Sequence, residues 1–227
     1  MNKHITALAA MMLTFALFAA LLSNFYSSPQ TSFAEESQNV IYLTFDDGPC
    51  DKVTPKILDV LKKEKVPATF FIVGRQAERR KNILKRAHDE GHTLAVHSYS
   101  HDYKEIYSSS NALLEDIEKC NNVICSVTGE YSHIYRFPGG SFTVAPEKIK
   151  AVTANGYTFV DWNASFRDSE LKDCTADKLY TAAISTVANP QKIVMLAHDT
   201  TDKTETVEAL KDVIRHFKEL GYKFKKF

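Results

Sequence analysis

From Asn39 to the end of the chain, short apolar runs and longer amphipathic runs take turns, and this alternation restricts the fold more than any other feature. "VIYLTF" (40–45) reads as a buried strand, and "ATFFIVG" (68–74), "HTLAVHS" (92–98), "YTFVDW" (157–162) and "KIVMLAHD" (192–199) read as further strands. "IYRFPGG" (134–140) and "YKFKKF" (222–227) are shorter candidates of the same kind. Between them, 54–65, 76–91, 110–129, 145–156, 175–190 and 203–221 read as helices. Thr54 and Thr175 are expected as N-caps, Pro55 at a first helical position, and Gly91 and Pro190 as stops. Strand and helix alternate about seven times, the pattern of a parallel sheet with helical crossovers. No Gly-rich phosphate loop follows the first strand, so a closed or nearly closed βα barrel is expected rather than an open doubly wound sheet. Such barrels place their chemistry at the C-terminal ends of the strands.

Polar residues collect at those ends. The first strand runs into Asp46-Asp47, the third into His97 and His101, the fourth into Arg136, the fifth into Asp161-Trp162 and the sixth into His198-Asp199. Adjacent carboxylates repel, and a bound cation would offset the repulsion. One carboxylate with two imidazoles is the three-ligand set of an open catalytic zinc-type site, and mixed N/O ligation without thiolate suits zinc, cobalt, iron or nickel. One Asp would then bind metal and the other would be free for proton work. Successive strand side chains point to opposite faces, so both can serve one site only if the chain turns; Gly48-Pro49 supplies a turn. Singly, each residue has a plainer reading: a strand-end Arg136, a packing Trp162, a capping Asp199. Asp168 is a loop acid with no assigned role.

The balance of 28 basic and 28 acidic residues advertises no nucleic-acid partner. With 227 residues and 44% hydrophobic content, one sizeable core and one domain are expected. The compositional break is at the N-terminus, where Lys3 and His4 precede the uncharged segment Ile5–Leu22. Residues 1–34 read as a signal peptide cleaved after Ala34 or as an N-terminal membrane anchor, 35–38 as a short linker and 39–227 as the catalytic domain. Both readings put the domain outside the membrane, secreted or anchored. Cys50 and Cys174 fall on the same predicted rim, so a bridge between them is expected in an exported chain, with Cys120 and Cys125 left as thiols.

"TFDDGP" (44–49), "HSYSH" (97–101), "RFPGG" (136–140), "VDW" (160–162) and "LAHD" (196–199), in this order, resemble the five motifs of the polysaccharide deacetylases (NodB homology domain, carbohydrate esterase family 4). The resemblance spans about residues 39–225; the first two motifs are highly specific and the last three loose. It implies a distorted, single-domain (β/α)7 barrel that uses one divalent metal, zinc or else cobalt, nickel or iron, to hydrolyse N-acetyl groups of N-acetylhexosamine polymers. The cell-wall glycan peptidoglycan is the first candidate substrate, and the enzyme is expected to be a monomer. The alternatives are deacetylation of chitin oligosaccharides or O-acetyl-xylan, or a catalytically idle glycan-binding module.

Carried over by position, the resemblance gives Asp47, His97 and His101 the metal, and gives Asp46 the proton of the attacking water. Arg136 orients Asp46 and holds it ionised. The backbone N–H of Gly139 joins the metal in stabilising the oxyanion. His198 protonates the leaving amine with Asp161 paired to it, and Trp162 and Leu196 wall the acetyl pocket. Two departures stand out: Thr158 occupies a position that often carries a further Asp, and Gly139 stands where an aromatic is usual.

Overall fold

The structure, a computed structural model, describes residues 39–227; the expectations for residues 1–38 lie outside the described residues. β1 (Val40–Asp46) is the axis. It is followed by α1 (Thr54–Glu64), β2 (Thr69–Val73), α2 (Gly74–Glu78), α3 (Lys81–Asp89), β3 (Thr93–Ser98), α4 (Tyr103–Ile106), α5 (Ser110–Thr128) and β4 (Ile134–Tyr135). A 3₁₀ turn at Ser141–Thr143 leads to α6 (Pro146–Ala154), β5 (Thr158–Phe159), β6 (Ala164–Ser165), α7 (Ala176–Ser185), β7 (Lys192–His198), α8 (Thr204–Glu219) and β8 (Lys223–Lys225). The strand order is β5-β4-β3-β2-β1-β7-β6, with β8 added beside β1, and every pair is parallel.

β1 is flanked along its whole length by β7. On its other side, β8 covers Val40–Tyr42 and β2 covers Thr44–Asp46. Both faces are packed: all five residues of β2 are buried, as are Ile193–Ala197 of β7. Full burial explains why these strands read as unbroken apolar runs.

The barrel is open. β5 and β6 contribute two residues each, pair with β4 and β7 respectively, and no ladder joins them. The expected strand 157–162 is cut short because its carbonyls turn to a side chain. Arg136 Nε donates to Val160 O (2.9 Å) and Arg136 Nη2 to Asp161 O (3.4 Å). Asn163 then ties the returning chain to β7 through Val194 N and Lys192 O, each at 2.8 Å.

Three smaller expectations change. The helix expected over 76–91 breaks into α2 and α3 at Arg79-Arg80, where Arg80 leaves helical geometry (φ −136°, ψ 40°) and pairs with Asp51 at 2.9 Å. Thr54 is not an N-cap: Val53 holds that position, while the Thr54 hydroxyl accepts from Cys50 N (2.8 Å) and donates to Asp199 Oδ2 (2.6 Å). Cys50 and Cys174 form no bridge; all four cysteines are free thiols. Each of the two is taken up inside its own turn, Cys50 Sγ accepting from Val53 N (3.2 Å) and Cys174 Sγ donating to Leu171 O (3.0 Å). Thr175 does cap α7, accepting from Lys178 N.

Candidate active site

Asp47 leaves the end of β1 with φ 77°, in the left-handed region that Asp tolerates better than most residues. This reversal breaks the strand's side-to-side alternation and lets Asp46 and Asp47 serve one site. His97 reaches it through a bulge. Ile72 pairs with Val96 but Val73 pairs with Ser98, so His97 is the extra residue, and bulges of this kind re-aim side chains beside active sites. His101 also has a positive φ, 55°. Its loop is stapled from α5 by the buried Asp116, which accepts from Ser98 Oγ (2.5 Å), Tyr99 N (2.8 Å) and Ser100 N (2.9 Å). Ser98 Oγ in turn accepts from His101 N at 2.8 Å.

The result is a convergence of ligand atoms. Asp47 Oδ1 lies 3.3 Å from His97 Nε2 and 3.1 Å from His101 Nε2, and one ligand atom from each residue falls within 4.8 Å of the others. Asp47 Oδ1 is buried yet makes no well-directed hydrogen bond. Both imidazoles approach it closely without satisfying it, as three donors to a shared cation would. His97 Nδ1 is committed to Arg136 O at 2.9 Å, which leaves the Nε2 lone pair for a metal. Burial alone would raise the Asp47 carboxyl, but the imidazoles of His101 and His97 set against it outweigh burial and hold the group far below the usual carboxylate range. Two imidazole nitrogens and one carboxylate oxygen fit a divalent cation of the zinc type with room for further ligands.

Asp46 faces a different partner. Arg136 Nη1 donates to Asp46 Oδ1 at 2.8 Å and to Thr44 Oγ1 at 2.8 Å. The guanidinium is fully buried, stacked 4.0 Å from the centroid of Phe71. Asp46 Oδ2 stays 4.0 Å from His97 Nε2, beside the metal triad but outside it. Beneath the loop, Asp199 has a structural position. A Cβ on Gly48 would fall 2.1 Å from Asp199 Oδ2, so this turn requires glycine. Burial pushes the Asp199 carboxyl up to about 7, the Thr54 hydrogen bond opposing and the charges of Asp47 and Asp46 adding.

The partner of His198 differs from expectation. His198 Nδ1 lies 2.7 Å from Asp168 Oδ1, and Asp168 Oδ2 accepts from His198 N and from Thr206 Oγ1, each at 2.9 Å. Asp161 is occupied elsewhere: its carboxylate accepts from Ser141 N (3.0 Å) and from the Ser141 hydroxyl. The reason is the turn of residues 160–162 around Arg136, which aims Asp161 at the Gly139–Ser141 segment. Burial would lower the His198 imidazole, but Asp168, followed by the charges of Asp46 and Asp47, carries it up to about 9.

Gly139 and Gly140 form a turn with φ 80° and 87°. No hydrogen bond among the described residues uses the Gly139 N–H, which keeps that donor free for a ligand. Trp162 stands half-buried over Arg136, and Leu196 is buried in β7 opposite Thr44 and Ser165. Thr158 lies in the short β5 and contributes nothing to this rim.

The sequence profile of the polysaccharide deacetylases matches residues 34–160. The chain belongs to the polysaccharide deacetylase family. As a member of it, the chain is 32% identical over 189 residues to the peptidoglycan-N-acetylmuramic acid deacetylase PdaA of Bacillus subtilis, covering 83% of this chain and 70% of that protein. It is 27% identical over 200 residues to a peptidoglycan-N-acetylglucosamine deacetylase of Bacillus cereus, covering 86% and 71%. Among solved structures, a Streptococcus mutans CE4 esterase superposes with a TM-score of 0.79 at 33% identity, covering 83% of this chain and 86% of that one. The catalytic domain of a peptidoglycan N-acetylglucosamine deacetylase from Eubacterium rectale gives 0.76 at 36%, covering 84% and 89%. The polysaccharide deacetylase fold of these neighbours is the parallel half-barrel described above.

Two members of this polysaccharide deacetylase site escape a reading of the sequence: Asp168 and Asp116. Asp116 did leave a signal, since it shares a helical face with Leu113, Ile117 and Cys120, all buried, and an acid on such a face needs partners. Asp116→Ala would orphan two backbone N–H groups and a hydroxyl, at about 1–3 kcal/mol for each buried group left unpaired. The expected outcome is a lower melting temperature together with weaker metal binding, measured by thermal unfolding and metal analysis. Unaltered metal affinity in a destabilised variant would show that Asp116 supports the helix and not the His101 loop.

Proposed function

We propose that this chain is a metal-dependent deacetylase that removes N-acetyl groups from N-acetylhexosamine residues of a cell-wall glycan, with peptidoglycan as the first substrate and zinc as the first metal. One observation carries the reading: the two adjacent acids have separate partners on one rim, Asp47 two histidines and Asp46 a buried arginine, with His198 held cationic by Asp168. A binding module needs none of that division. When bound by Asp47, His97 and His101, a divalent cation supplies Lewis acidity toward the acetyl carbonyl and toward water. Asp46, paired with Arg136, takes the proton of the attacking water. The free N–H of Gly139 donates to the developing oxyanion. His198, protonated through Asp168, gives its proton to the departing amine nitrogen. Trp162 and Leu196 are proposed to shape the acetyl pocket, and Asp161 to hold the Gly139–Ser141 turn that presents the donor.

The test is mass spectrometry of products from acetylated glucosamine oligomers, peptidoglycan fragments and acetylated xylan. Free amine from the first two supports the reading; acetate from xylan alone would replace it with an esterase. We further propose export of the domain, motivated by Lys3 and the uncharged Ile5–Leu22. Recovery of the protein in the cytosol alone would count against export.

A further inference from the structure

Two aromatic rings stand in solvent at the rim without a role in the chemistry above. Tyr103 is 48% exposed and Phe142 is 74% exposed, and large apolar side chains held in water at a functional rim mark a contact surface. They come from different segments, Tyr103 from α4 just after the ligand His101, and Phe142 from the 3₁₀ turn after Gly140. Both are held in place. Tyr103 packs edge-on to His101 (centroids 5.5 Å apart, 89°) and to Tyr107 (5.9 Å, 71°), and the Tyr107 hydroxyl donates to Pro138 O at 2.8 Å. Phe142 packs edge-on to Trp162 (5.7 Å, 73°), whose ring lies over Arg136.

The two glycines between them make this arrangement possible. A Cβ on Gly139 would come within 3.2 Å of the Tyr103 ring, and a Cβ on Gly140 within 2.3 Å of the Phe142 ring. Each ring therefore lies against one glycine of the turn that presents the Gly139 N–H. A pyranose ring offers an apolar face of C–H groups that stacks on an aromatic ring, and rings pre-ordered in this way bind with little further loss of freedom.

We propose that Tyr103 and Phe142 are sugar-stacking walls on the two sides of the Gly139–Gly140 turn, which makes this enzyme selective for a glycan chain over a single acetylated sugar. The inference rests on the deacetylase reading. It assigns the neighbours of the acetylated unit to these rings, Tyr103 on the metal side and Phe142 on the Trp162 side.

The experiment compares Tyr103→Ala, Phe142→Ala and the double variant on β-1,4-linked N-acetylglucosamine di- and tetrasaccharides, following amine release, with metal content measured in each protein. Calorimetric binding of the tetrasaccharide is measured with the same substitutions placed in an Asp46→Asn background. The expected result is a rise of about tenfold in tetrasaccharide KM and Kd for each ring, the size of an aromatic stacking contribution with its buried area. The rise should be smaller on the disaccharide and fall on KM more than on kcat, at parental metal content. Equal losses at both chain lengths, parental tetrasaccharide affinity in the double variant, or a loss that tracks metal content would each overturn the proposal. Failure of the deacetylase reading looks different: the parent would release no amine, while the binding comparison would still report on the rings.

Discussion

Asp46→Asn is expected to keep its metal and lose turnover by about 10²–10⁴-fold, the span of general acid–base catalysis. The triad atoms of Asp47, His97 and His101 are untouched by the change, whereas an amide cannot take the proton of water. Arg136 stays fully buried with its remaining acceptors Thr44 Oγ1, Val160 O and Asp161 O, but loses its counter-charge. Some fall in melting temperature should therefore accompany the loss of activity. Asp47→Ala should fail in the other way. It would remove one of the three proposed protein ligands and the only anionic one among them, so metal affinity should collapse and activity follow, with excess metal restoring part of it. Kinetics and metal analysis on the two proteins check the pair. Equal metal loss in both, or an active Asp46→Asn, would falsify the division of labour.

The second large effect concerns the acid. His198→Ala should lower turnover by about 10²–10⁴-fold with metal content retained. Asp168→Asn tests the pairing more finely. A general acid works while protonated, so with His198 at about 9 the alkaline limb of the pH–rate profile belongs near that value. Removing the Asp168 charge leaves burial as the dominant influence, and burial lowers an imidazole; the limb should therefore move to lower pH. The carboxylate also accepts from His198 N and Thr206 Oγ1, where an amide nitrogen cannot, so a thermal melt must accompany the profile. Asp161→Asn should leave the limb in place, because Asp161 holds Ser141. A limb that moves with Asp161 and stays with Asp168 would reverse the assignment.

Residues that lie close together in sequence were legible. Asp46-Asp47 and His97…His101 each sit within one turn at a strand end, so the strand pattern alone places them on one rim. Asp168 was not legible, because it reaches His198 across 30 positions from a loop after β6, a two-residue strand with no sequence signature of its own. Asp161, beside the only tryptophan and at the end of an apolar run, drew the assignment instead. The same short strands hid the opening of the barrel: the ladder stops where Arg136 takes the Val160 and Asp161 carbonyls, a competition that no local pattern reports. Thr54 misled for a related reason. Its residue type suits a cap, but its hydroxyl is spent on Cys50 N and Asp199. The paired thiols failed because proximity on a rim says nothing of the hydrogen bonds each sulfur already makes within its own turn.

The central claim is that the chemistry depends on a cation held by Asp47, His97 and His101. Its most direct test strips the protein with a chelator, titrates zinc back, and follows both zinc binding and amine release from an acetylated glucosamine tetrasaccharide. The account predicts that amine release disappears with the metal and returns in proportion to zinc bound, saturating at about one equivalent per chain. Full amine release from protein verified to be metal-free would contradict it.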